Sequence, residues 1–388
     1  MAEATLILLT ILLAYSNGAN DNFKGVATLY GSGVLNYRRA RLLSTIATIA
    51  GALAAVVLAE TLLKAFSGRG LVPGSVVADP AFAASVTIAA GATVALATRF
   101  SMPISTTHAL VGGLVGAGVV AAGDGLNLGA LTQQFLAPLL LGPIIAFAAS
   151  ALLAALQRKV WPSQSANNNE VCACVDVSPT STAEALAPAF AATAIPGAPS
   201  KAIPHIQLSV GTTQGECAPQ ANRASAIVVT PSRALDIAHI VSGTSVCFAR
   251  GLNDAPKIAA LLLVAKSVGG SMSIGWVALA MALGGWLHSR RIAETMSHKI
   301  TQLEPKGSFL ANICTSVLVI SASKYGFPLS ATHVSVGAIS GLTVGSGGST
   351  LSATTLKHIL LSWVATLPCA ALIGLLAFST LSTLSTFF

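Results

Sequence analysis

Gly18-Ala-Asn-Asp-Asn-Phe-Lys24 (GANDNFK) interrupts an apolar segment that begins near residue 4. A near copy, Gly251-Leu-Asn-Asp-Ala-Pro-Lys257 (GLNDAPK), interrupts a second apolar segment 233 residues later. Each brings an amide, a carboxylate and an ammonium together within about one helical turn. A chain that twice places such groups in apolar surroundings has a use for them there.

The surroundings follow from composition. Of 388 residues 53% are hydrophobic and only 9% charged, with mean hydropathy +0.75, whereas soluble domains carry about 25% charged residues. A helix needs roughly 20 apolar residues to cross a bilayer. Windows of that kind cover residues 4–33, 40–66, 81–98, 104–122 and 128–157, then 234–267, 273–288, 307–323, 328–346 and 352–387. Backbone groups must be satisfied inside lipid, and strand-length alternation is absent from these windows, which excludes a barrel. The expectation is an all-α integral membrane protein of about 10–12 transmembrane segments.

The formal net charge of +8 does not imply nucleic acid. Arg38, Arg39, Arg41, Arg158, Lys159, Arg233, Arg290, Arg291, Lys299 and Lys306 fall on one side when the spans are threaded alternately, and Lys64, Arg69 and Lys266 on the other. The positive-inside rule then puts the first group in the cytoplasm and the N-terminus outside, in a plasma or inner membrane. The opening MAEATLILL has no charged n-region and no small-residue cleavage site, so it reads as the first span. Cys172 and Cys174 sit in a loop that this threading makes cytoplasmic, where a structural disulfide is not expected.

Residues 160–231 are rich in Ala, Pro, Ser, Thr and Asn and read as a mobile cytoplasmic linker. The flanking parts, 1–159 and 232–388, repeat each other. Besides the Asn-Asp motif, Met102-Pro-Ile-Ser-Thr-Thr-His108 is matched by Phe327-Pro-Leu-Ser-Ala-Thr-His333, 225 residues on, with Gly112 and Gly116 in step with Gly337 and Gly341. The first half starts outside and the second inside, so the repeats are inverted. Inverted repeats with interrupted helices at matching positions point to a secondary transporter with its site at the bilayer midplane.

Charged groups at the bilayer centre cost about 2.5–3.5 kcal/mol each on insertion scales, so Asp21 and Asp254 read as functional. Gly18, Gly251 and Pro256 favour a broken helix at both motifs. Freed carbonyls with Asn20, Asp21, Asn253 and Asp254 then offer hard oxygen ligands for a small cation. The blander reading is mutual neutralisation, since Asp21 with Lys24 and Asp254 with Lys257 are spaced i,i+3. In the second element proline precedes Ser105, Thr106 and Thr107, or Ser330 and Thr332, as at a helix start. Two such N-termini would cradle a tetrahedral oxyanion; ordinary capping or helix gluing is the alternative. His108 and His333 hold the loop, titrate with substrate or simply pack. Arg250 pairs with an oxyanion, or with Asp254 or Asp236; its first-half counterpart is the neutral Asn17.

With both elements in view, the chain resembles the inorganic phosphate transporter (PiT) family of the phosphate and sulfate permeases. The likeness spans both halves, resting on GAND at 18–21, Gly-Ser-Gly at 31–33 and P-x-S-x-T-H at 103–108 and 328–333. The resemblance implies an inverted-repeat fold, often dimeric, with phosphate bound centrally. It implies that Asn20, Asp21, Asn253 and Asp254 bind coupling cations and that Ser105, Thr106, Thr107, Ser330 and Thr332 contact phosphate. Two departures stand out. Lys24 and Lys257 occupy positions where family members usually carry Asn, and Thr48 and Asn312 align with positions that often carry Glu. The lysines read as tethered cations that replace sodium or neutralise the anion, and a desolvated lysine can also carry a proton. Sodium, proton or no coupling stay open, with no other cofactor expected. Sulfate is the alternative substrate; an intramembrane serine hydrolase or an anion channel or sensor are the readings from other classes. Paired Ser and His positions suit binding better than a unique nucleophile.

Overall fold

The computed structural model describes residues 2–160, 171–180, 203–212, 227–265, 267, 269–298, 305–346 and 353–387. Lys266 and Lys299, used in the topology argument, lie outside the described residues. The first half contains α1 (Ala2–Asp21), a 3₁₀ turn (Lys24–Val26), α2 (Ala27–Gly31), α3 (Tyr37–Leu58), α4 (Glu60–Phe66), α5 (Pro80–Arg99), α6 (Thr106–Ala122) and α7 (Ala137–Val160). The second contains α8 (Pro231–Ala259), α9 (Gly270–His288), α10 (Arg290–His298), α11 (Pro305–Tyr325), α12 (Ala331–Gly345) and α13 (Ala353–Phe387).

Local chemistry sets these helices. The Asn36 side chain caps α3 by accepting from the Arg39 N–H (3.0 Å). Asp79 caps α5 by accepting from the Ala81 N–H (2.8 Å), with Pro80 at the first helical position. Among the described residues seven helical stretches are long and apolar enough to cross a membrane: 37–58, 80–99, 106–125, 128–159, 270–288, 307–325 and 356–384. Their outer faces carry exposed Ile46, Leu53 and Val57, Leu140 and Ile144, or Leu361 and Val364. In water such faces would be an aggregation hazard; against acyl chains they are at home. Of the other two long helices, α1 and α8, each carries an Asn-Asp pair inward, and all four of those side chains are buried.

The two interruptions differ from expectation in one respect. At GANDNFK the helix does break: α1 ends at Asp21 and the chain passes through the 3₁₀ turn into α2. At GLNDAPK, α8 runs on through Pro256 and loosens only at a 3₁₀ stretch, Ala260–Val264. Proline removes one backbone donor, but a helix held by tight packing tolerates that loss in lipid, and the break falls just beyond the motif.

The halves interlock by exchange. α6 packs against α13, and α12 against α7. A β-carbon on Gly112 or Gly116 would overlap the carbonyl oxygen of Leu367 or Ala371, and one on Gly337 or Gly341 that of Pro143 or Phe147. The other crossings follow the same rule: Gly18 lies against Met281 and Gly284 against Tyr15, while Gly251 lies against Thr48 and Gly51 against Phe248. These are the small-residue contacts through which membrane helices approach closely. Each repeat therefore completes its packing only on the other.

Residues 162–238 form a separate compact unit. The segment read from composition as a tether contains three antiparallel strands, β1 (Val171–Thr180), β2 (Ile203–Thr212) and β3 (Ile227–Val229), in the order β2-β1-β3. Val171 pairs with Thr212 and Thr180 with Ile203, while Ala173 pairs with Val229. Valine at 171, 175 and 177 supplies the β-branched character that the overall composition obscures.

Candidate functional site

Both P-x-S-x-T-H elements are helix starts. Ser105 Oγ accepts from the His108 N–H (3.1 Å) at the head of α6, and Ser330 Oγ accepts from the His333 N–H (3.3 Å) at the head of α12. The chain reaches each cap through a left-handed residue, Ser101 (φ 59°) in the first half and Gly326 (φ 78°) at the matching position of the second. Ile104 and Leu329, just before the caps, turn their carbonyl oxygens toward the lysines of the Asn-Asp motifs.

A cross-linked polar network results. Lys24 Nζ donates to Asp21 Oδ1, to the Ile104 carbonyl (2.7 Å) and across the repeat boundary to Thr332 Oγ1 (2.9 Å). Lys257 Nζ lies 3.7 Å from Asp254 Oδ1 and donates to the Leu329 carbonyl (2.7 Å) and to Thr107 Oγ1 (2.8 Å) of the other repeat. Thr332 in turn donates to the Ile104 carbonyl (3.1 Å) and Thr107 to that of Leu329 (3.2 Å). Asn20 donates to Thr98 (3.0 Å) and the Met102 carbonyl (3.1 Å). Asn253 donates to Asp254 Oδ1 (2.9 Å) and the Leu329 carbonyl (3.2 Å), and accepts from Ser323 (3.2 Å). Every residue named for the site is buried except His108, which is partly so.

The symmetry fails at one pair. Arg250 does not meet Asp254 or Asp236, the carboxylates nearest in sequence; Nη2 lies 3.5 Å from Asp21 Oδ2 and donates to Thr332 Oγ1 (3.2 Å). Its counterpart Asn17 donates to Asp21 Oδ2 (3.1 Å) and Thr106 Oγ1 (2.9 Å), and Thr106 donates to the same carboxylate oxygen (3.2 Å). Three buried cations, Lys24, Lys257 and Arg250, thus face two carboxylates, Asp21 and Asp254, leaving one formal positive charge in excess. Arg250 Nε and Nη1 have no hydrogen-bond partner among the described residues although the side chain is buried. A buried guanidinium with spare donors in a cationic site suits a planar or tetrahedral oxyanion.

His108 and His333 come together, with ring centroids 4.3 Å apart, and His333 packs edge-on against Trp363 (3.6 Å). Thr48 and Asn312 stand away from this network: Thr48 donates to Asn22 Oδ1 (2.6 Å), and Asn312 donates to Thr28 (2.9 Å). Sequence reasoning missed Thr98 and Ser323 as the partners of Asn20 and Asn253, and the carbonyls of Ile104 and Leu329 as lysine acceptors; the 225-residue offset that matches 98 with 323 and 104 with 329 is the signal that could have found them, as the 233-residue offset matches Asn17 with Arg250. On one side a cleft of about 690 Å³, lined by Ala19, Thr98, Arg99, His288, Arg290 and Arg291 among others, reaches the partner of Asn20. Three arginines there outnumber Glu294, so the cleft is cationic.

These features define a multi-pass integral membrane protein of two repeats closed around a buried charged centre. The chain matches the model of the Phosphate transporter family over residues 17–374 and belongs to that family, whose members are transporters and not enzymes. It is 27% identical to a protein of Pyrococcus abyssi that carries a phosphate-permease name, across 97% of this chain and 96% of that one. It is 26% identical to the chloroplastic inorganic phosphate transporter 2-1 of Arabidopsis thaliana, across 97% of this chain and 71% of the relative. A solved structure described as the sodium-dependent phosphate transporter shares the fold with a TM-score of 0.68 at 20% identity, over 98% of this chain and 99% of that one.

Proposed function

We propose that the chain carries inorganic phosphate through the membrane by alternating access, with the oxyanion held between the two helix caps. The observation that carries this reading is Arg250: a buried guanidinium with two unpartnered nitrogens beside Thr332, in a centre with one excess positive charge. Ser105, Thr106, Thr107, Ser330 and Thr332 add hydroxyls and the N–H groups of two helix N-termini, and Lys24 and Lys257 add charge. Thr107 and Thr332 now donate to backbone carbonyls. Substrate entry exchanges those bonds for bonds to oxyanion oxygens.

The exchanged packing suggests what moves. Each moving body would contain one cap helix with a helix of the opposite repeat, α6 with α13 and α12 with α7, rather than one whole half. The cationic cleft at Arg290 and Arg291, on the side the charge rule makes cytoplasmic, serves as the inner vestibule. Asp21 and Asp254 favour phosphate over sulfate, because a carboxylate accepts a hydrogen bond from protonated phosphate, and sulfate has no proton to offer.

Uptake of radiolabelled phosphate into proteoliposomes tests the reading, with arsenate and selenate as competitors. Competition by arsenate and indifference to selenate support it; the reverse pattern makes the chain a sulfate permease. Loss of counterflow, with conduction retained, would make it a channel.

A further inference from the structure

The polar partners of each lysine ammonium of the centre are all oxygens, and Lys257 Nζ lies in addition 5.5 Å from the centre of the Phe66 ring. Lys24 Nζ meets a carboxylate oxygen of Asp21, the Ile104 carbonyl and the Thr332 hydroxyl; Lys257 Nζ meets Asp254, the Leu329 carbonyl and the Thr107 hydroxyl. The two sets are the same by repeat: the carboxylate three residues back, the carbonyl before the cap of the lysine's own repeat, and the threonine two past the cap of the other. An ammonium has three donors; three oxygens satisfy that of Lys24, while Lys257 hydrogen-bonds two and keeps Asp254 as an ion-pair partner at 3.7 Å. The same donor types, one anionic and the others neutral, are what a hard cation without its water shell selects.

We propose that Lys24 and Lys257 are built-in cations that fill two oxygen-lined cation positions, so that this chain moves phosphate independently of sodium. The inference rests on the phosphate-carrier reading and deepens it by assigning the coupling. A free cation arriving at Asp21 or Asp254 would have to expel an ammonium that the backbone holds within reach. It would otherwise add a further positive charge to a centre already in excess by one. Both lysine side chains are 1% exposed or less, so neither has a solvated position to retreat to without opening the site. A tethered charge also makes the positive wall of the phosphate site permanent: it forms with the fold instead of with an ion bound from solution. The driving force is then the phosphate gradient itself, or another ion acting elsewhere.

Two measurements on the purified full chain separate this inference from the phosphate reading. The first is thermal unfolding in sodium chloride against choline chloride, without phosphate. The wild type is expected to unfold at the same temperature in both. Lys24→Asn/Lys257→Asn, which removes both charges and offers amide oxygens in their place, is expected to become more stable in sodium. A sodium-dependent rise for the wild type overturns the proposal whether or not phosphate is transported. The second is labelled-phosphate uptake by proteoliposomes under the same two salts. A wild-type rate that changes less than twofold supports the proposal, and a fall of more than tenfold without sodium overturns it. Should the double variant fail to fold, the two wild-type measurements still decide.

Discussion

Arg250 Nη2 stands 3.5 Å from Asp21 Oδ2, so a cation of the second repeat helps neutralise the carboxylate of the first. Asp21 is thereby shared by Lys24, Arg250, Asn17 and Thr106, whereas Asp254 has Lys257 at 3.7 Å and Asn253 at 2.9 Å. Removing one member of a buried ion pair costs about 3–5 kcal/mol. Asp21→Asn is expected to destabilise the protein in detergent by that order and to abolish uptake. Asp254→Asn is expected to lower the unfolding temperature less. Parallel thermal unfolding curves of the two variants check the ranking, and equal losses would contradict the asymmetry.

Arg250 also allows a test of charge against shape. Arg250→Lys keeps the cation but loses the planar fork and its spare donors. Phosphate affinity is expected to fall about tenfold or more, since hydrogen bonds to charged groups contribute about 1.5–3 kcal/mol. Isothermal titration with phosphate reads the change; an unaltered affinity would move the anion away from Arg250.

The caps give a gentler perturbation. Ser105→Ala and Ser330→Ala each remove the acceptor for one N–H, of His108 or His333, and should cost about 1 kcal/mol of stability. Uptake is expected to drop in both, because each helix start then loses its set geometry. A variant with unchanged stability and unchanged transport would show that its cap does not shape the site.

Ser101 and Gly326 occupy matching left-handed turns, but only one of them is glycine. Serine bears a Cβ penalty there of about 1–2 kcal/mol. Ser101→Gly is expected to raise the unfolding temperature, offset in part by the greater freedom of glycine in the unfolded chain. Gly326→Ala should lower it sharply, since its added methyl would run into the Thr61 side chain. Unfolding in detergent distinguishes the two signs.

Glycines at the helix crossings supply a steric test with an internal control. Gly116→Leu and Gly341→Leu drive a side chain into the backbone of α13 and α7 and should prevent recovery of folded protein. Gly275→Ala on α9 meets nothing within 4 Å and should be neutral or gain up to about 1 kcal/mol. Size-exclusion profiles after extraction compare them.

How much of this was legible beforehand depends on whether a contact is local. The repeat offsets place the Asn-Asp motifs and the Pro-x-Ser elements in matching roles, and helix chemistry marks Ser105 to Thr107 and Ser330 to Thr332 as helix starts without choosing which hydroxyl caps; the caps are Ser105 and Ser330. Spacing rules also found the Asp21–Lys24 and Asp254–Lys257 pairs, which are one turn apart. They said nothing of Lys24 reaching Thr332, or Arg250 reaching Asp21, because no periodicity encodes a meeting between repeats. The same limit explains why sequence offers Arg250 an oxyanion, or Asp254 or Asp236, but not Asp21. Proline at 256 suggested a break at the motif, but packing against Thr48 and Ala52 holds the helix through it. In 160–231 the average composition conceals short runs with valine and isoleucine, and two of them pair as strands over ten residues.

The exchanged helix crossings bear on how the chain is made. α6 leaves the ribosome with Gly112 and Gly116 bare, and the helix that covers them, α13, is translated only after α12; α12 by contrast finds α7 already in the bilayer. Insertion and folding are therefore separate events for the first repeat: it can enter the membrane during synthesis, yet its buried lysine has no threonine to bond until Thr332 arrives. A nascent chain stopped before α13 would already hold every residue of the charged centre, yet the glycine seam of α6 would still lie open.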